Sequence, residues 1–247
     1  MTPFLLEISI IFLLIFVQSY FGVGLLVFGT PTFLILNYSF SQTLSILLPI
    51  SCFISLLQVI SSQKVSNKNF FFSFTKFSIP GVLIFLPISV FYYEQIKIEF
   101  LIGVVMIVIP ALNLLKKFES TIILFAKKYY KFFLVLIGCV HGSTNLGGGL
   151  ITIFSSINYS QNKHAIRKAI AVSYLYFGLI QLSLIVFLNK FYFSIEYLSC
   201  CFLVPILFLF SNKYFQKTKI ENYRKNLNFL IILYGAIIIS NFLLNSF

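Results

Sequence analysis

The side chains best equipped for chemistry lie between Gly138 and Phe154, in the run GCVHGSTNLGGGLITIF. Ser143, Thr144 and Asn145 offer short hydrogen-bonding groups, and Gly147, Gly148 and Gly149 follow, where a backbone without side chains can come close to a ligand. A helix restarting after such glycines presents unsatisfied N–H groups and the positive end of its dipole, which suits an anion. His141 is the only ionisable side chain in the run and has two readings. It adds charge or carries a proton, or it hydrogen-bonds across a helix pair. The glycines also have two readings, ligand approach and close helix packing. Catalysis fits poorly, because His141 and Ser143 are badly spaced for a base and its nucleophile and His164 belongs to a loop. Cys52, Cys139, Cys200 and Cys201 show no metal-ligand spacing to one another or to a histidine. No enzyme activity, metal or cofactor is expected.

What surrounds these residues is lipid-soluble. The 247 residues are 59% hydrophobic and only 10% charged, with 32 Phe, against about a quarter charged in ordinary soluble domains. The chain reads as an integral, multi-pass protein of the cell (inner) membrane, all α-helical, with the bilayer as its first partner and no room for an extramembrane domain. A net charge of +12 arises from 18 Lys+Arg against 6 acids. The cations sit in short connections, where topology and headgroups account for them, so nucleic acid is not an expected partner. The segment from Phe4 lacks a basic n-region and is expected to be a retained helix, not a signal peptide.

In chain order, Phe4 to Phe21 can reach across a bilayer and ends in GVGLLVFGTP. Gly22, Gly24 and Gly29 weaken a helix and Pro31 lacks a donor, so a break is expected with a half-helix over Thr32–Leu36. Gly22, Gly24 and Thr30 are the binding candidates of this first break. Spans are expected at 41–61, 77–93 and 98–115, with basic loops around Lys64, Lys68 and Lys76 and over 116–131. The second half repeats the order: a helix over 132–140, the glycine break, a half-helix over 150–157, then spans that include 191–210 and 227–244. GVGLLVFGTPTFLILNYS aligns without a gap on NLGGGLITIFSSINYSQN, placing Gly24 on Gly147 and Pro31 on Phe154. The chain therefore divides into a first repeat at 1–115, a basic connection at 116–131 and a second repeat at 132–247.

Lys/Arg number three in 62–76, five in 116–131, three in 163–168 and five in 213–225. A single crossing between Lys131 and Lys163 would put the first two clusters opposite the last two. If instead the helix and half-helix form a hairpin, all four share the cytoplasmic face. Two hairpins with three spans each make the repeats inverted and put both termini outside. Glu7 and Glu196, the acids inside apolar runs, are expected at hydrated segment ends, with a functional role as the alternative; Gln18, Gln58 and Gln181 are expected in helix–helix hydrogen bonds, and Lys163, Arg167 and Lys168 as topological charges, with Arg167 guarding a vestibule as the alternative.

The first break (Gly22, Gly24, Pro31) and the GxxxGxxNLGGG pattern (Gly138, Gly142, Asn145, Gly147, Gly148, Gly149) resemble the TauE/SafE sulfite exporter family of TSUP transporters. The resemblance implies a secondary carrier of sulfite, thiosulfate, sulfonates or related organic anions. The chain departs from the family pattern in having Leu25 and Leu26 where many members continue with glycine, and Phe154 where a proline is often found. The expected function is alternating-access transport of a small anion held at the two breaks. The competing readings are a non-transporting assembly subunit and an intramembrane enzyme.

Overall fold

A computed structural model describes residues 3–62, 68–92, 100, 103–104, 106–108, 111, 124, 128–159 and 162–245. The regular structure among them is helical: α1 Pro3–Phe21, α2 Leu25–Ile35, α3 Phe40–Ser61, α4 Lys68–Phe91, α5 Tyr130–Thr144, α6 Gly148–Asn158, α7 Lys163–Phe187 and the short α8 Ile195–Ser199. A 3₁₀ turn, Cys200–Phe202, leads into α9 Leu203–Lys217, and α10 covers Ile220–Asn245. Among the described residues five stretches are long and apolar enough to span a membrane: Phe4–Phe21, Phe40–Ser61, Phe70–Phe91, Lys163–Phe187 and Ile195–Lys217. The protein is an all-α polytopic membrane protein. The span expected at 98–115 and the connection at 116–131 fall, apart from isolated residues, outside the described residues.

The breaks are narrower than the sequence suggested. Helix α2 starts directly after Gly24 and runs through Pro31. Nine of its eleven residues are buried, and that packing outweighs the one backbone bond a proline removes. Helix α5 likewise continues past Gly138 and Gly142 to Thr144, leaving only Asn145–Gly147 unwound. Lys68 and Lys76 belong to α4, which begins nine residues earlier than the expected span. The start of α3 is fixed by a reciprocal cap in which the Gln42 N–H donates to Ser39 Oγ (3.3 Å) and the Ser39 N–H to Gln42 Oε1 (2.9 Å).

Contacts fix the course of the chain. Tyr38, just after α2, hydrogen-bonds Glu7 near the start of α1 (2.8 Å), so α1 and α2 enter and return at one end of the bundle. At the other end Tyr130 and Phe133 of α5 pack their rings on Phe154 of α6, with centroids 5.0 and 5.7 Å apart, so α5 and α6 form a second hairpin. Helices α4 and α5 run parallel: Ser78 Oγ donates to the Leu134 carbonyl (2.8 Å) and Ser89 Oγ to the Ser143 carbonyl (3.0 Å). Gly138 and Gly142 face α4 there, and a Cβ on Gly138 would overlap the Ser78 carbonyl. This GxxxG pair is helix packing.

The described basic residues gather at the end where the second hairpin enters. Lys163 Nζ donates to the Phe215, Gln216 and Thr218 carbonyls at 2.8–2.9 Å, closing the C-terminus of α9. Lys131 lies over the Phe77 ring, 5.7 Å from its centroid. Lys190 is at the opposite end, over Phe91.

Candidate functional site

The Gln18 carbonyl still accepts the Gly22 N–H (2.7 Å), but the first break leaves the carbonyls after it without helical partners in an apolar interior, where each would be costly. Three side chains from distant elements supply them. Gln58 Nε2 donates to the Gln18 carbonyl (2.9 Å) and the Ser19 carbonyl (3.3 Å). Arg167 also donates to the Ser19 carbonyl, and the Tyr223 hydroxyl to that of Phe21. Arg167 is thus no surface charge marking topology. It is 5% exposed, donates to Asn212 Oδ1 (2.8 Å), stacks 4.2 Å from the Phe215 centroid, and its Nε has no partner. Its Cγ lies against Gly22, whose φ of +81° is a conformation that favours glycine.

The second break is built similarly. Asn145 closes α5 in the left-handed conformation (φ +62°), its N–H bonded to the His141 carbonyl at 2.8 Å. Asparagine tolerates that geometry better than most side chains. In the gapless alignment Asn145 falls on Gly22 and Gly147 on Gly24, so the left-handed residue and the helix N-cap recur at matching places in both breaks.

The structure brings the two breaks together. Asn145 Nδ2 is 2.9 Å from Thr30 Oγ1 of α2, and a Cβ on Gly148 would stand 2.5 Å from Val23 Cγ2. Ser143 and Thr144 turn their hydroxyls back on their own helix, to the Cys139 and Val140 carbonyls, and Thr144 Oγ1 also accepts the Leu146 N–H. Gly149, like its two glycine neighbours, is buried.

Helix α7 forms the facing wall. Its Tyr174, Phe177 and Gln181 recur at helical spacing on one face. His141 stacks on Phe177 (centroids 4.2 Å apart, planes at 17°) and meets Tyr174 edge-on at 5.7 Å. Gln181 approaches the imidazole without a well-formed hydrogen bond. The Tyr174 hydroxyl occupies the space a Gly148 Cβ would need. The result is a group of completely or almost completely buried polar atoms without partners: both His141 nitrogens, Asn145 Oδ1, the Tyr174 hydroxyl and both ends of the Gln181 amide. Gln18 and Gln58 make the helix–helix bonds expected of them, Gln18 to Ser51 at 3.0 Å; Gln181 does not.

No carboxylate answers this polar group among the described residues. Glu7 is held by Tyr38 and Tyr197 near the opposite end, and Glu196 and Glu221 are exposed. The first turn of α6 adds N–H groups that have no partner within the helix. Sequence reading singled out His141, Asn145, Thr30 and the glycines but missed Tyr174. The available signal was a tyrosine and a glutamine seven residues apart on the largely apolar part of α7 that follows Lys168.

A family model described as Sulfite exporter TauE/SafE matches residues 8–238. No curated protein and no solved structure matches the chain.

Proposed function

The chain belongs to the sulfite exporter TauE/SafE family and is a membrane transporter, and we propose that it carries a small anion, sulfur-containing or organic, bound where the two breaks meet. One observation carries the assignment: six buried side-chain atoms with no partner on His141, Tyr174, Asn145 and Gln181, beside the first turn of α6. Leaving such atoms unsatisfied costs about 1–3 kcal/mol each, a cost that a ligand or water accepting and donating at this place removes.

In this reading His141, Tyr174 and the Gln181 amide donate to the anion's oxygens, with the N–H groups around Gly147, Gly148 and Gly149. Rotating the Asn145 amide keeps its bond to Thr30, whose hydroxyl both donates and accepts, and turns the amide donor toward the ligand. Ser143, Thr144, Gly22 and Gly24 shape the two tips. Arg167, close to the first tip and with no carboxylate partner among the described residues, biases the approach toward anions.

The hairpins entering from opposite ends support two inverted repeats, 1–115 and 132–247 joined by 116–131. The three-span bundles would rock about the joined tips, so that the site opens alternately to each side. The basic end of the bundle faces the cytoplasm and both termini lie outside, in the inner membrane.

The test is uptake and counterflow in proteoliposomes across sulfite, thiosulfate, sulfonates and small carboxylates. Flux of at least one anion, abolished by Asn145→Ala and by Gly148→Leu, is expected. An absence of flux with every anion would overturn the reading.

A further inference from the structure

Glu7 was expected at a hydrated helix end. It is 8% exposed and its described partners are two phenols. Tyr38, from the turn after α2, lies 2.8 Å from Glu7 Oε1; Tyr197, from α8, contacts Oε2; and the two tyrosine hydroxyls are 2.8 Å apart. These groups close a ring of three O···O contacts, each of which needs one proton to be a hydrogen bond. The phenols supply two. With a carboxylate, both phenols donate to Glu7, and their mutual contact is left as two oxygens facing each other with no proton between them. With a carboxylic acid the count closes: Glu7 donates to Tyr197, Tyr197 to Tyr38, and Tyr38 to the remaining Glu7 oxygen.

We propose that Glu7, Tyr38 and Tyr197 form a proton-binding site, and that the bound proton latches α8 to the open end of the α1–α2 hairpin. The groups facing Glu7 contain no cation among the described residues. The neighbouring acid, Glu196, is exposed and turned to Ser194, and the thiols of Cys52, Cys200 and Cys201 are free. Burial raises the Tyr38 phenol above its ordinary range, so it remains a donor.

Tyr197 also lines an open pocket with Ser45, Tyr192 and Ser194, which gives the proton a path to water. When the proton leaves by that path, the two phenols turn to the carboxylate, their mutual bond is lost, and α8 loses one of its ties to the hairpin. If the protein is an anion carrier as proposed above, this is the site of its coupling proton; that consequence rests on the transport reading, whereas the proton site does not.

Infrared difference spectroscopy of the purified protein in nanodiscs at neutral pH tests the site without any transport assay. The expected result is a protonated-carboxyl C=O band that is lost in Glu7→Gln and moves to higher frequency in Tyr197→Phe, where the acid proton loses its acceptor. A wild-type spectrum whose carboxyl band is untouched by both variants would overturn the proposal. In proteoliposomes Glu7→Gln, which keeps a neutral hydrogen-bonding ring, is expected to keep anion exchange but lose acceleration by a pH gradient. Acceleration equal to wild type would refute the coupling role. Absence of flux in the wild type itself would count against the transport reading, and the infrared result would still decide the proton site.

Discussion

Gly148 and Tyr174 show how tightly the site is made. The tyrosine hydroxyl fills the place of a Cβ at Gly148, so Gly148→Ala forces overpacking worth about 1–3 kcal/mol. Tyr174→Phe removes the intruding oxygen and one unpartnered donor. In thermal unfolding the double variant is therefore expected to be more stable than the sum of the two single changes, the coupling that residues in contact show. Strict additivity would mean that the two do not meet. Asn145→Ala breaks the bond to Thr30 and puts alanine in a left-handed conformation. The bond contributes about 1 kcal/mol and the conformation costs about 1–2 kcal/mol, so a lower unfolding temperature is expected together with reduced flux. Tyr174 is easily missed in the sequence because a tyrosine in an aromatic-rich span looks like core. Only the fold shows that its hydroxyl has no partner, and the same holds for Gln181.

At the level of elements, the two interruptions in helical hydrogen bonding are supported by side chains from elsewhere in the chain. Arg167 serves the first, reaching the Ser19 carbonyl and Asn212 together through the fork of its guanidinium. Lysine has no such fork, so Arg167→Lys is expected to destabilise the protein nearly as much as Arg167→Ala. Removing a buried hydrogen-bonded charge partner typically costs about 1.5–3 kcal/mol, measurable as a lowered unfolding midpoint in detergent; full rescue by lysine would contradict this account. Gly138→Val tests the other side of the glycine question, since the α4–α5 contact has no room for a side chain. Its expected outcome is loss of folded protein. The existence of both breaks was legible in the sequence, because glycine and asparagine at those places have local conformational reasons. Their extent was not: Pro31 and Gly142 are accommodated by burial and by the neighbouring helix, which are tertiary effects.

At the scale of the whole molecule, the lysine distribution pointed to one feature that hydropathy alone does not contain, a hairpin at the glycine run. Placing four basic clusters on one face required a hairpin at the glycine run, and the α5–α6 hairpin has that form, with Lys131, Lys163 and the end of α9 gathered at its open end. The orientation that follows can be measured with single cysteines in a cysteine-free background. Thiols introduced at Lys190 and near Glu196 are expected to react with an impermeant reagent from outside the cell, and thiols at Lys168 and Lys217 only after the membrane is opened. The reverse pattern would invert the topology.

The central claim is that an anion binds among His141, Asn145, Tyr174 and the start of α6. The chain has two histidines, so ¹⁵N-histidine labelling gives a spectrum with two imidazoles, assigned by His141→Ala. On titration with the transported anion in lipid, the His141 resonances are expected to shift and saturate while those of His164 stay in place. An anion that is transported while the His141 resonances do not move would contradict the claim.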